Sequence, residues 1–412
     1  MNSLQSLKKL LVYRNILSDP LLLAMMDAES GDSCETAGRL VAKAEEIGLS
    51  GDIVKEYIIY LLNSVESVFS RTAEHADGKI GDGLLAAAEH DVKILRGLFR
   101  QDMEMFCWPL LKNYRPTIPG QSKSRQGIRK FFLPDGNMTD ADAVRGLRRH
   151  YRHYGYGALA DYMAFKWDEK GQKLVGVNSC DNITFDGLIG YGRQKKELID
   201  NTEAFLKGLP ANNVLLFGER GAGKSSSVKA LINKFFDDGL RLVEIPRSQF
   251  AQLPAVMGGL KNWGKKFILY LDDLSFEEFE VEYKQLKSII DGGIEAKPDN
   301  VLIYATSNRR NIVKEVWADN EGDELHRSDT INEKVSLADR FGVKIFFPSP
   351  DQRAYFEIIA ALAARAGLDI GEDELRREAV KWEMSHTGRS GRIASQLIAY
   401  LGGRREAKAG DN

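Results

Sequence analysis

Cysteine is scarce in this 412-residue chain: Cys34, Cys107 and Cys180 are far apart and form no CxxC pair. That excludes a disulfide framework and a thiolate zinc site, and it suits a reducing compartment. Long apolar runs are lacking too. The N-terminus, MNSLQSLKKLLVYRNILSDPLLLAMMDAES, is interrupted by Lys8, Lys9, Arg14 and Asp19, so it reads as neither signal peptide nor membrane span, and a cytoplasmic location is expected. Nor is there an excess of one charge. The 57 Lys and Arg against 59 Asp and Glu give a net charge of −2, so no global positive field exists to hold nucleic acid or anionic lipid, and any such binding must be local. Repeats and low-complexity tracts are missing, apart from a charged C-terminal tail.

What is present is an ordinary globular composition, 43% hydrophobic and 28% charged, long enough for two or three domains. The first part is helical in pattern. Ile53, Tyr57, Leu61, Val65 and Phe69 recur every four positions, and Leu85, Val92, Leu95 and Phe99 do nearly the same, which marks core stripes. Two prolines and small polar residues in RPTIPGQSKSRQG mark a loop. Thr139 then caps a helix carrying VRGLRRHYRHYGYGALADYMAF. Its four arginines and two histidines, interleaved with tyrosines, form a pattern able to grip phosphates and stack on bases. The preferred reading is an amphipathic helix with tyrosines inward and arginines solvated or paired, because one patch on a neutral chain is a weak signal. WDEKGQKLVGV reads as a small hairpin. Beyond it, the short apolar runs NVLLFG, RLVEIP, FILYLDD, NVLIYATSN and VKIFFP alternate with helical segments, implying a parallel sheet covered on both faces. From Ser349 the pattern is helical again.

The loop after the first of those strands, GERGAGKSSS, satisfies GxxxxGK[ST] from Gly218 to Ser225 in the strand-loop-helix setting that the motif requires. Gly218, Gly221 and Gly223 let the backbone curl until its N–H groups point at phosphate oxygens, with Glu219, Arg220, Ala222 and Ser226 completing the cradle, and the following helix adds its positive end. Lys224 reaches the terminal phosphates and Ser225 offers its hydroxyl to Mg²⁺, so ATP and Mg²⁺ are the expected cofactors. In an open α/β sheet the strand FILYLDD delivers carboxylates at its C-terminal end, beside the nucleotide. Asp272 is the expected partner of Mg²⁺ and its water. Asp273 stands where many ATPases of this type have a glutamate that orients the attacking water; one methylene shorter, it needs a closer water or help from Glu277 or Glu278. The alternative for Asp273 is a helix cap.

With the polar end of LIYATSN added, the chain resembles the AAA+ ATPases over roughly residues 180 to 412. More narrowly, DDLSFEE, IYATSNRRNIV and LADRFG resemble an uncharacterised bacterial AAA+ family known only as a domain of unknown function. The resemblance implies an α/β P-loop core with a parallel sheet flanked by helices (181–348), a C-terminal helical lid (349–412) and a mainly helical N-terminal partner-binding domain (1–180). It implies residue roles as well. Asn308 matches sensor 1, which positions water against the γ-phosphate. Arg340 in SLADRFGVKIFF matches the arginine finger supplied to a neighbour's ATP, which implies a homo-oligomer, a hexameric ring among the forms open to it; its alternative is a structural pairing with Asp339. In HTGRSGRIASQL, Arg392 matches sensor 2 of the lid, with Arg389 close enough to exchange roles. FDGLIGYGRQKKELI resembles the adenine-pocket segment, with Ile189, Gly190 and Tyr191 as base contacts.

Two departures stand out. Ring unfoldases carry an aromatic residue and a glycine in a pore loop, but here RSQFAQLPAVMGGLKNWG has no glycine beside Phe250, which speaks against polypeptide threading. The acidic stretch WADNEGDELHRSDTINEK resembles an insertion, and its His326 and Arg327 read as surface residues. Three functions fit these features. The leading one is a Mg-dependent AAA+ ATPase that couples ATP binding and hydrolysis to remodelling of a protein partner. The second is a DNA-dependent ATPase or helicase-loader-like protein using Arg145 to Tyr156, and the third an ATP-binding switch with little turnover. A small-molecule kinase has no use for sensor 1, finger and lid in this order, and no feature supports a membrane role.

Overall fold

Where the helical stripes end, the sheet begins. The computed structural model describes residues 3–27, 33–75, 79–101, 109–120, 122–133, 137–178, 180–274, 286, 290, 297–308, 338–386 and 388–410. They group into two units, Met1–Tyr162 with Trp263–Lys265, and Met163–Asn262 with Lys266–Asn412. Cys107, Glu277, Glu278, His326 and Arg327, and the acidic stretch around the last two, lie outside the described residues. No described helix is long and apolar enough to cross a membrane.

The first unit is helical. Two 3-10 turns, Ser3–Lys9 and Arg14–Ser18, precede α1 (Pro20–Asp27), α2 (Ser33–Ile47), α3 (Ile53–Ser64), α4 (Val68–His75), α5 (Asp82–Arg100), α6 (Pro109–Lys112), α7 (Lys123–Phe132), α8 (Asp140–Tyr154) and α9 (Ala158–Asp161). The stripe Ile53, Tyr57 and Leu61 is buried on α3 as its spacing predicts, but Val65 is extended, so Phe69 reaches the same core from α4. Thr139 caps α8 in a reciprocal box with Asp142. Tyr151 of that helix turns inward and packs with Tyr13 and Phe69 at ring-centroid distances of 6.5 and 6.2 Å, while Tyr154 is half-buried. Asp91, buried on α5, accepts the N–H groups of Leu11, Val12 and Tyr13 at 2.8 to 3.0 Å, supplying partners to the backbone donors of the bend between the two 3-10 turns. Ser124 donates to Asn63 at 2.6 Å and lies 3.0 Å from His150 Nε2. All three are buried, and burial above all pushes the His150 imidazole down to about 3, so a pair that looks nucleophilic by distance is core. Trp263–Lys265 closes this unit: Gly264 N–H donates to Glu74 Oε1 at 3.1 Å, and the buried Lys265 ammonium donates to the Tyr151 and Arg152 carbonyls at the negative end of α8.

The second unit holds a seven-stranded sheet among the described residues, in the order β2-β1-β4-β5-β6-β3-β7. The strands are β1 (Ala164–Asp168), β2 (Lys173–Gly176), β3 (Val214–Gly218), β4 (Leu240–Glu244), β5 (Lys266–Leu271), β6 (Val301–Ser307) and β7 (Val343–Phe347). Every pairing is parallel except the β1–β2 hairpin. Central strands covered on both faces need continuous apolar runs, and all seven residues of β6 are buried. Around the sheet lie α10 (Gly192–Leu206), α11 (Lys224–Phe235) and α12 (Leu253–Leu260); α13 (Gln352–Arg365), α14 (Glu372–Ser385) and α15 (Gly391–Gly410) form the C-terminal helices with their own core of Tyr355, Ile359, Ala379 and Leu397. The α/β class, the helical N-terminal region and the helical C-terminal part expected from the sequence are all present. The break between the first two parts falls at Tyr162 rather than at 180, because the hairpin does not end the helical region: β1 pairs with β4 and extends the sheet.

Candidate functional site

Three adjacent parallel strands, β3, β5 and β6, release the chain at the same edge of the sheet. β3 runs into the phosphate loop. Gly218 has φ +125°, and a Cβ there would stand 2.1 Å from the Phe347 carbonyl oxygen, which instead accepts the Glu219 N–H at 2.9 Å. Gly221, at φ +79°, lets the loop approach the residues that lead into α15, since a Cβ would come within 2.8 Å of Ser390 Oγ. Lys224 opens α11 with its ammonium turned back into the loop. It donates to the carbonyls of Gly218 (3.0 Å) and Glu219 (2.6 Å) and to Asn308 Oδ1 (3.0 Å). Burial draws this ammonium down to about 8; Asp273 and Asp272 offset part of that effect, and Arg392 adds to it.

β5 delivers the two aspartates and β6 the polar residues that meet them. Leu271 is level with Ala305, which sets Asp272 beside Thr306. Asp272 Oδ1 accepts from Ser225 (2.9 Å), Tyr270 (2.6 Å) and Thr306 (2.6 Å). Partial withdrawal from water pushes the Asp272 carboxyl up, but these donors outweigh it and hold the group below its ordinary range. Asp273 adopts the left-handed conformation, φ +54°, an uncommon one for a residue with a side chain. Its N–H donates to Thr306 Oγ1 (2.9 Å), its backbone carbonyl accepts from Arg247, and its carboxylate accepts from Asn308 Nδ2 at 2.6 Å. One amide, that of Asn308, therefore bridges Lys224 and Asp273.

These groups line a cleft of about 360 Å³, with Arg220 to Ser227 on the loop side, Gly187, Leu188 and Ile189 from the segment before α10, and Ile358, Leu362, Arg392 and Ser395 from the C-terminal helices. Apolar walls at one end and phosphate-loop donors at the other match the two halves of a nucleotide. A larger groove, of about 680 Å³, opens between α13 and α14, but it has no phosphate loop. Ser225 and Asp272 supply hard oxygen donors side by side, a set that fits Mg²⁺, which takes one or two protein oxygens and completes its shell with phosphate and water.

The cleft gathers Arg220, Gly221, Ala222, Gly223, Lys224, Ser225, Ser226, Asp272, Asp273, Asn308, Ile189 and Arg392, while Gly218 and Glu219 hold its base through Lys224. It does not gather Tyr191, Arg389 or Arg340. Tyr191 caps α10 at φ +55°, its hydroxyl donates to the Pro348 carbonyl at 2.8 Å and its ring lies 5.2 Å from that of Phe347. Arg389 is engaged by Glu383 at 2.6 Å. Arg340 is exposed just before β7, and the neighbouring Asp339 accepts from Lys344. Tyr270, Thr306, Arg247, Ile358 and Leu362 escaped the sequence reading. Tyr270 carried one usable signal: two residues before Asp272 on a strand, it shares that residue's face.

A protein family described as "Protein of unknown function (DUF815)" matches residues 160–405. The chain belongs to this family. No curated protein matches it. Among solved structures, similar ones include the Thermotoga maritima RuvB Holliday junction branch migration motor, at 19% identity over 53% of this chain and 63% of that chain, with a TM-score of 0.36. Two point-substituted forms of the same Thermotoga maritima RuvB are similar as well. One matches at 17% identity with the same coverage and TM-score, and the other at 18% over 53% and 64% of the two chains, with a TM-score of 0.38. This DUF815 member thus spans under two thirds of the length of those structures.

Proposed function

We propose that this DUF815 protein is a Mg-dependent ATPase of the AAA+ type, coupling ATP binding and hydrolysis to remodelling of a protein partner. One observation carries the reading: the Asn308 amide joins the phosphate-loop lysine to Asp273, beside the Ser225–Asp272 pair, at the carboxyl ends of neighbouring strands. Terminal phosphates of ATP would take the Lys224 ammonium from its three internal acceptors. Exchange of Lys224 frees one end of the Asn308 amide while the other still holds Asp273. The Asp273 carboxylate then stands where it can accept a proton from an attacking water. Ser225 and Asp272 would hold Mg²⁺, which would supply charge neutralisation on the phosphates. Arg392 adds a guanidinium from the lid side, and Leu188, Ile189, Ile358 and Leu362 offer an apolar seat to the base.

Arg340 has its place in this scheme as a finger for a neighbouring protomer, which its exposure and its position outside its own cleft support. The helical unit would read the partner. Polypeptide threading is not part of the proposal, because Phe250 is buried rather than presented. The DNA-dependent alternative keeps the exposed Arg145, Arg149 and Arg152 of α8 but loses Tyr151 and Tyr156, which are buried and cannot stack on bases. The test is steady-state ATP hydrolysis by the wild type and Asp273→Asn over a range of protein concentrations. Turnover per protomer should rise with concentration, and the variant should bind ATP yet lose about 100-fold or more in rate. A wild type that binds ATP and is as inactive as the variant would turn the reading into a nucleotide-switched scaffold.

A further inference from the structure

The Asp272 carboxylate is asymmetric in its bonding. All three of its hydroxyl partners, Ser225, Tyr270 and Thr306, converge on Oδ1, and no described hydroxyl reaches Oδ2. Ser225 belongs to the phosphate loop, but Tyr270 and Thr306 are core residues of β5 and β6, 1% and 2% exposed. Packing alone would be served by phenylalanine and valine in those places. A buried hydroxyl is unfavourable unless it is bonded, so the two oxygens have meaning only through the bonds they make.

Those bonds have a geometric effect. Side chains two apart on a strand share a face, which is why the Tyr270 hydroxyl lies along the strand against Asp272, 2.6 Å away. Thr306 arrives from the neighbouring strand at the same distance, and the two donors fix the carboxylate's rotation. If Ser225 turns its oxygen towards a cation, Tyr270 and Thr306 still hold Oδ1, and Oδ2 stays directed elsewhere. Thr306 also accepts the Asp273 N–H at 2.9 Å, and its carbonyl accepts the Leu274 N–H at 2.7 Å. The left-handed turn at Asp273 is therefore anchored on both sides by a single residue.

We infer that Tyr270 and Thr306 are positioning residues of a divalent-cation site, orienting Asp272 for the ion and its waters, with Thr306 in addition setting the turn that presents Asp273. The inference rests on the nucleotide and Mg²⁺ reading above. Groups that orient a metal's protein ligand govern metal affinity by roughly tenfold or more, even without touching the ion.

The test uses Tyr270→Phe and Thr306→Val, which remove one oxygen each at near-constant shape, with Thr306→Ser as the variant that restores the hydroxyl. Affinity for a fluorescent ATP analogue is measured in EDTA and across a Mg²⁺ titration, alongside hydrolysis. In EDTA both hydroxyl deletions should bind within about twofold of wild type, whereas the Mg²⁺ concentration that half-saturates the gain in affinity should rise about tenfold. Thr306→Ser should return it to near the wild-type value. At saturating Mg²⁺, Tyr270→Phe should recover its kcat and Thr306→Val should not, since only the latter also releases Asp273. Deletions that lower kcat with an unchanged Mg²⁺ half-saturation, or that weaken EDTA and Mg²⁺ binding equally, overturn the inference alone. A wild type whose nucleotide binding ignores Mg²⁺ overturns it together with the proposed function.

Discussion

Asp91 in the helical unit and Asp272 in the sheet unit are both carboxylates held by several donors of their own chain, yet they differ in what is left over. Asp91 is fully buried, and both its oxygens are occupied, by backbone N–H groups and by His90 Nδ1 at 3.0 Å. Asp272 stands at the rim of a cleft with its hydroxyl donors on one oxygen only. The first satisfies the chain and is finished; the second is half satisfied and faces space. The same contrast separates Ser124 with His150, sealed in the core, from Ser225 with Asp272, which line a cavity. Side-chain type and hydrogen-bond length do not separate structure from function here. Residual bonding capacity at an accessible surface does.

That contrast is broken most sharply by exchanging damage between the two units. Lys224→Ala should weaken nucleotide binding about 100-fold or more, a loss near 3 kcal/mol, while leaving thermal stability close to wild type. Asp91→Asn should do the reverse, lowering stability by roughly 2–4 kcal/mol in denaturant unfolding, because an amide nitrogen replaces one acceptor among buried donors. If Asp91→Asn instead altered nucleotide affinity at full stability, the division between the two carboxylates would fail. A smaller effect sharpens it inside the cleft. Arg392→Ala should reduce nucleotide affinity about tenfold, and Arg389→Ala, whose guanidinium is engaged by Glu383, should stay within about twofold in the same titration.

The smallest expected effect is in pH. Burial lowers the free Lys224 ammonium to about 8, below its unfolded value, so between that pH and the ordinary lysine range the unfolded chain holds a proton that the folded, unliganded chain has released. The sign follows: unliganded stability gains as pH rises through that window. Phosphate needs the charged form, so Mg-free nucleotide affinity should be full at pH 7 and fall with a midpoint about 8. A flat profile from pH 7 to about 9 would mean that the ammonium is not the phosphate's partner.

Much of the cleft was legible because its signals are local. GxxxxGK[ST] after a strand, paired aspartates ending an apolar run and a polar residue ending the next strand are all contiguous patterns. Tyr270 and Thr306 were not legible in the same way, since Thr306 meets Asp272 only through the register of β5 on β6, and no local spacing encodes that register. Ile358 and Leu362 repeat at helical spacing like any core stripe, and nothing in the sequence distinguishes a stripe that faces a cleft. Tyr191, which the resemblance offered as a base contact, caps α10 from a left-handed backbone instead of lining the cleft, with its hydroxyl on the Pro348 carbonyl and its ring against Phe347. The hairpin was read as a hairpin but assigned to the wrong side of the boundary, because strand pairing at a distance is again a matter of register.

The grouping of Trp263–Lys265 with the helical unit has a consequence for how this protein can be cut. The stretch matched by the family, residues 160–405, contains those three residues but none of Glu74, Tyr151 or Tyr156, which receive them. A fragment begun at Met163 would carry a lysine and a tryptophan shaped for a neighbour it no longer has, placed immediately before the strand that ends in Asp272 and Asp273. The segment shared with the family is therefore not closed on itself, because three of its residues complete a core that α4 and α8 build.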